Sequence, residues 1–141
     1  MMKKIIIGSL EKCDLPQLGI EGLHVRVDTG AKTSSLHVDN IEEFKKDDEL
    51  WIAFDMHPDV YDIEEVVRKE AKVVDIKRVK SSTATRQRRY VIVTKIKMAN
   101  KTWKIRLTLT NRSTMTYMML LGREAMKGRF IVDPECQYRL D

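Results

Sequence analysis

The chain has 141 residues, 43% hydrophobic and 33% charged, with 26 Lys and Arg against 21 Asp and Glu for a net charge of +5. Those values describe a soluble globular domain with its own core, and no apolar stretch approaches the roughly 20 residues of a membrane span. Two cysteines without paired spacing, Cys13 and Cys136, exclude a disulfide framework and read as reduced thiols.

The N-terminal MMKKIIIGSLEKCD imitates a signal peptide, but its apolar run, Ile5 to Ile7, is short and meets Glu11, Lys12 and Asp14 at once. A cytoplasmic location is expected. In LHVRVD, Leu23, Val25 and Val27 share one face, while His24, Arg26 and Asp28 share the other. ELWIAFDMH sets Leu50, Ile52, Phe54 and Met56 on one side. HPDVYDIEEVVRKEA is ambiguous: Val60, Ile63 and Val67 fit a weak helical spacing that Pro58 and the short length oppose. Residues 73–94 read as a hairpin whose tip, from Ser81 to Arg89, has no large apolar side chain and should project into solvent. RYVIVTKIKM and KTWKIRLTLT alternate and are joined by the polar turn ANK, placing Trp103, Ile105, Leu107 and Leu109 inward and Lys104, Arg106, Thr108 and Thr110 outward. Period-two alternation of this kind indicates half-buried antiparallel strands. A short helix is expected after Gly122 in REAMKG, followed by a strand at FIVD. The assembly is mainly β, a small barrel with one or two short helices, in one domain over residues 1–141.

VDTGAKTSSLH, residues 27–37, admits two chemistries. A phosphate-binding loop needs Gly-x-x-x-x-Gly-Lys-Ser/Thr ahead of a helix, because successive backbone amides wrap the phosphates. Here Ala31 separates Gly30 from Lys32, and SSLHV continues as a strand. The other reading is a carboxylate, Asp28, delivered by a strand to a turn made by Thr29 and Gly30, where glycine permits close backbone approach. Asp-Thr-Gly alone is a weak signal, and an Asp that merely caps a turn is the plain alternative. A second signal is MLLGREAM, residues 119–126, where two large apolar residues run into Gly122 at the start of the helix.

DTGA followed by LLGREAM resembles the retropepsin-type aspartic peptidases. The resemblance is closest to a bacterial and archaeal retropepsin-like subfamily that includes RimB and is often labelled ATP-dependent zinc protease. It extends over LPQLGI, VDTGAKTSSLH, FDMHP, VVDIKRVKSSTATRQRRYVIVT, WKIRLTLTNRS and MLLGREAMKGRFIVDP, nearly the whole chain. It implies a closed acid-protease β-barrel, a flap formed by the 73–94 hairpin, and hydrolysis through Asp28, Thr29 and Gly30. Leu120, Leu121, Gly122 and Arg123 would pack under that loop. Only one Asp-Thr-Gly occurs, so two carboxylates sharing a proton require a homodimer. Retropepsins commonly continue with acidic residues where this chain has AKTSS, which puts Lys32 there and points to an acidic peptide. Ala31, Lys32, His37, Arg86, Arg88 and Arg89 are the expected substrate-binding residues. The resemblance also implies trimming of glutamate tails on a ribosomal protein, and a RimK-type glutamate ligase as neighbour.

The zinc and ATP labels find little in the residues. His24, His37 and His57 are scattered, no His-Glu-x-x-His or Cys-x-x-Cys is present, and His37 with Asp39 on one strand face is a weak ligand pair. No cofactor and no metal site are therefore expected. KRVKSSTATRQRR could neutralise nucleic-acid phosphates, but it lacks interleaved aromatics for base stacking and reads better as a basic flap tip. The competing function is a non-catalytic module on the same barrel that binds an acidic tail or a ligase.

Overall fold

The computed structural model describes residues 3–57, 65–80, 86–111 and 117–141, with backbone alone at 79, 80, 86 and 87. In chain order come β1 (Ile5–Ile7), β2 (Leu10–Leu15), a 3-10 turn (Pro16–Leu18), β3 (Ile20–Val27), β4 (Ser34–Lys46) and β5 (Glu49–Met56). Then follow β6 (Val67–Lys72), β7 (Asp75–Lys80), β8 (Arg86–Met98), β9 (Lys101–Asn111), β10 (Met119–Leu121), α1 (Arg123–Met126) and β11 (Phe130–Val132). Six strands close a barrel in the order β10-β3-β2-β8-β9-β4, with β4 returning to β10. β5 and β6 extend the sheet beyond β4, β7 pairs with β8, and β1 with β11 forms a separate two-stranded ribbon. Among the described residues no helix is long and apolar enough to cross a membrane.

The alternation seen in sequence becomes the core. Leu23, Val25 and Val27 of β3, Ile52, Phe54 and Met56 of β5, and Ile105, Leu107 and Leu109 of β9 are all buried. At ~25 cal/mol per Å2 of apolar surface, such interdigitated aliphatic side chains dominate the stability of a disulfide-free domain. Both cysteines are free; burial, with Asp14 adding to it, pushes the Cys13 thiol up to about 12, so it stays protonated and unreactive. The β8–β9 turn places Ala99 and Asn100 at φ 53° and 61°, matching the twist of a two-residue hairpin. β4 and β5 are joined the same way through Asp47 and Asp48, at φ 53° and 62°.

Three expectations are corrected. The sheet is not purely antiparallel: β4 pairs β9 in parallel and β10 pairs β3 in parallel, because the barrel closes through strands distant in sequence. Thr108 does not face solvent but is 7% exposed between Leu107 and Leu109, so both faces of β9 are covered there. The weak helical spacing around Pro58 falls partly outside the described residues, and from Val67 the chain is the edge strand β6, antiparallel to β5. Its short VRKEAK alternation gains more from six paired positions on β5 than an isolated helical turn could offer. The 73–94 hairpin is present as β7 and β8, while most of its tip lies outside the described residues.

Among the described residues one charged side chain sits wholly inside. Glu11 is 0% exposed, and its carboxylate accepts N–H bonds from Gly8 (2.7 Å), Arg139 (3.0 Å) and Leu140 (3.2 Å). It thereby ties residues 139 and 140 to the β1–β2 connection. Glu11→Gln keeps the shape but turns an NH2 group toward one or more of these donors. We expect a loss of about 2–4 kcal/mol in urea unfolding and faster amide exchange at Arg139 and Leu140.

Candidate active site

β3 carries its apolar face inward as far as Val27 and delivers Asp28 to the loop that follows. Asp28 folds a tight turn on itself. Its Oδ1 accepts the Gly30 N–H at 3.0 Å and its carbonyl accepts the Ala31 N–H at 3.2 Å. Asp28 is half-buried, while Thr29 and Gly30 are exposed. The side-chain acceptor and short loop fix one carboxylate oxygen within the turn.

β10 slots between the two strands that flank this loop. Leu121 pairs with Val27 of β3 and Leu120 with Ser35 of β4, and the Leu121 carbonyl accepts the Asp28 N–H at 2.9 Å. At Gly122 the backbones touch: an added Cβ would lie 2.5 Å from the Thr33 carbonyl carbon and 2.6 Å from its oxygen. The Gly122 N–H donates to the buried Ser34 Oγ at 2.9 Å. The next two amides, Arg123 and Glu124, donate to the Ala31 and Lys32 carbonyls at 2.9 and 3.0 Å, and Arg123 Nη1 donates to the Thr29 carbonyl at 3.0 Å. The unpaired amides at the start of α1 are thus used to hold the Asp28 loop.

Two open clefts flank the loop. One, about 750 Å3, is lined by Thr29, Lys32, Arg123, Met126 and Phe130 among others. The second, about 420 Å3, brings Ala31, Ser35, His37, Arg89, Thr110 and Leu120 together. Lys32 lies 3.9 Å from Glu124 and is largely exposed, so that pair contributes little. Arg88 points to the opposite face of β8 from Arg89 and pairs with Glu43 at 3.3 Å, away from both clefts. Arg86 is paired with Lys80 in the strand register, and its side chain is outside the description.

A barrel of this build is matched in known proteins. The RimB-like family, described as "Retropepsin-like aspartic endopeptidase RimB", matches residues 6–140. The chain belongs to the RimB-like family. A crystal structure of a Legionella pneumophila protein of unknown function shares 30% identity and superposes with a TM-score of 0.80, covering 99% of this chain and 100% of that one. Proteins named "Probable alpha-L-glutamate ligase" are also similar. That of Parasynechococcus marenigrum is 47% identical over 140 residues, 99% of this chain, and that of Desulfotalea psychrophila is 48% identical over 137 residues, 97% of this chain. The chain spans about 30% of the length of these curated relatives.

In this RimB-like domain the histidines occupy separate environments. His24 Nδ1 lies 2.8 Å from the Tyr138 hydroxyl, and His57 Nε2 lies 2.8 Å from Asp39 Oδ2. His37 Nδ1 lies 2.6 Å from Thr110 Oγ1. Asp39 therefore partners His57 rather than completing a pair with His37, and among the described residues no three His, Cys, Asp or Glu gather as metal ligands. Residues that sequence reasoning passed over are Ser34, whose hydroxyl anchors Gly122, and Thr108 and Thr110, which wall the second cleft. The one available signal was that SSLHV continues the loop as a strand, which turns Ser34 inward with Leu36.

Gly122→Ala places a methyl group against the Thr33 carbonyl, where only backbone movement relieves the clash. The expected loss is more than about 2 kcal/mol, seen as a lower urea midpoint with unchanged slope, together with altered amide shifts at Asp28 and Ala31.

Proposed function

We propose that the domain is an aspartic endopeptidase in which Asp28 carboxyls from two copies of the chain share one proton across a water molecule. Like charges a few ångströms apart cannot both ionise, so identical residues supply one acid and one base. The ionised Asp28 takes a proton from the water as it attacks the scissile carbonyl, and the protonated one donates to the developing oxyanion. The observation that carries this is the Asp28 turn, held by the Gly30 amide, the Leu121 carbonyl and the start of α1. A turn clasped from three sides supplies the preorganisation that acid–base chemistry needs.

The substrate we infer is an acidic peptide, with glutamate tails as the foremost case, in a cytoplasmic setting. Two observations support it: a net charge of +5, and the relatives named as glutamate ligases, whose longer chains include a segment like this one. A domain carried within, or acting beside, a ligase of that class would meet glutamate-rich products. Those same names favour the second reading, a non-catalytic module that presents an acidic tail to a ligase. Neither metal nor nucleotide enters the mechanism.

Replacing the acid by its amide separates the two. Asp28→Asn is expected to lower turnover of a glutamate-rich peptide by at least roughly a thousandfold, with the unfolding midpoint equal or raised. Undiminished cleavage would sink the aspartic mechanism, and absence of cleavage by the native protein at any pH would favour the binding module. Dialysis against EDTA and omission of ATP should leave the native rate unchanged, measured on the same peptide.

A further inference from the structure

Beside the Asp28 loop lies a buried polar atom without a partner. His37 is 8% exposed; its Nδ1 is engaged by Thr110 at 2.6 Å, and its Nε2 has no hydrogen-bond partner among the described residues. Buried ring nitrogens are normally satisfied, so an orphan on a ring that lines a cleft marks a place where a bound group can supply the missing partner. The ring lines the 420 Å3 cleft, within the size range of small-ligand sites. Across that cleft stands Arg89 of β8, which has no carboxylate within ion-pair distance among the described residues, unlike Arg68, Arg88 and Arg106. Arg89 is also the one charged side chain in the described lining, to which β9 contributes Thr108 and Thr110, and β10 contributes Leu120.

We propose that this cleft is a side-chain subsite for a carboxylate, in which the Arg89 guanidinium and His37 Nε2 together hold a glutamate or aspartate of the peptide bound at Asp28. The inference rests on the peptide-binding reading above and gives it a specific contact. With the Thr110 hydroxyl donating to Nδ1, the neutral ring carries its proton on Nε2 and donates to one carboxylate oxygen. The planar guanidinium fork takes the other. Burial, and then the Arg89 charge, hold the His37 pKa below its ordinary value, so the ring is neutral around pH 7. A phosphate dianion would instead call for a cradle of backbone amides or several cations, and the described lining supplies one cation. The subsite adjoins the chemistry, because Ala31 both lines it and donates its N–H to the Asp28 carbonyl. Lys32 and Arg88, already paired with Glu124 and Glu43, have no place in it.

The sign of the pH effect follows. A bound carboxylate gives His37 an anionic partner and raises its pKa, so binding tightens as pH falls through that range until the peptide carboxyl itself protonates near about 4.3. The test uses the full chain carrying Asp28→Asn and fluorescent peptides identical except for three Glu, three Gln or three phosphoserines. Binding is read by anisotropy, and the His37 ring by nitrogen-15 NMR. Expected is a preference for Glu over Gln of at least about tenfold, the factor of one net charge-assisted hydrogen bond, with the His37 pKa raised by the Glu peptide alone. Arg89→Gln and His37→Gln should each abolish most of that ratio, whereas Arg106→Gln, which removes the same charge outside the cleft, should preserve it. Arg89 is only partly buried, so its variant tests the subsite even if His37→Gln fails to fold. Equal binding of Glu and Gln peptides, a ratio that survives Arg89→Gln, or tighter binding of the phosphoserine peptide overturns the proposal. Selective binding without cleavage by the native chain would refute the peptidase and leave the subsite. Equal cleavage of Glu and Gln peptides would refute the subsite and leave the peptidase.

Discussion

The contact between Gly122 and the backbone at Thr33 and Ser34 is the constraint from which the rest of the molecule follows. Because no side chain intervenes, β10 can enter the gap between β3 and β4 and complete a ring that would otherwise have two open edges. The same approach gives the Asp28 N–H its acceptor on Leu121, and gives the Ala31 and Lys32 carbonyls their donors at the start of α1. A loop carrying several polar backbone groups next to a barrel mouth is thereby satisfied without any long side chain. Position 122 sets barrel closure and the geometry of Asp28 together, so the two cannot be varied independently.

The charges around the loop differ in what surrounds them rather than in number. Lys32 and Arg88 stand in solvent with carboxylates beside them, where screening and side-chain entropy leave little net attraction. Glu11 has no cation partner among the described residues; three backbone amides hold it, and it acts as a structural tie. Arg89 and His37 share a partly enclosed cleft with hydroxyls and, among the described residues, no anion, so a carboxylate placed there would change the energy more than one at the open surface. Net charge alone distinguishes none of these cases.

Much of the barrel was legible because period two is a strong signal wherever one face is buried. Leu23 to Val27, Ile52 to Met56 and Ile105 to Leu109 declare themselves in this way. β2 did not, because Glu11 occupies an inward position and breaks the apolar series that Cys13 and Leu15 continue. β6 was obscured by its length and by the charges of VRKEAK at a sheet edge. Pairing partners are not encoded in periodicity, which is why the parallel neighbours β4–β9 and β10–β3 were invisible. Arg88 and Arg89 were grouped as one basic patch, although adjacent residues of a strand face opposite ways, and the structure sends one to Glu43 and the other to the cleft. The support of the Asp28 loop by residues 120–123 came from family resemblance. No local property of LLGRE would have revealed it.

The position of β10 also bears on how the chain reaches this state. Its partners β3 and β4 precede it by most of the sequence, so the contacts that close the ring are among the most non-local in the fold and carry a large loop-closure entropy. Until residues 119–122 arrive, the Asp28 amide has no acceptor, and the edges of β3 and β4 stand open to other chains. On a chain emerging from its N-terminus, the Asp28 turn is synthesised early and organised late. A nascent chain must therefore keep two unpaired strand edges from aggregating in the interval.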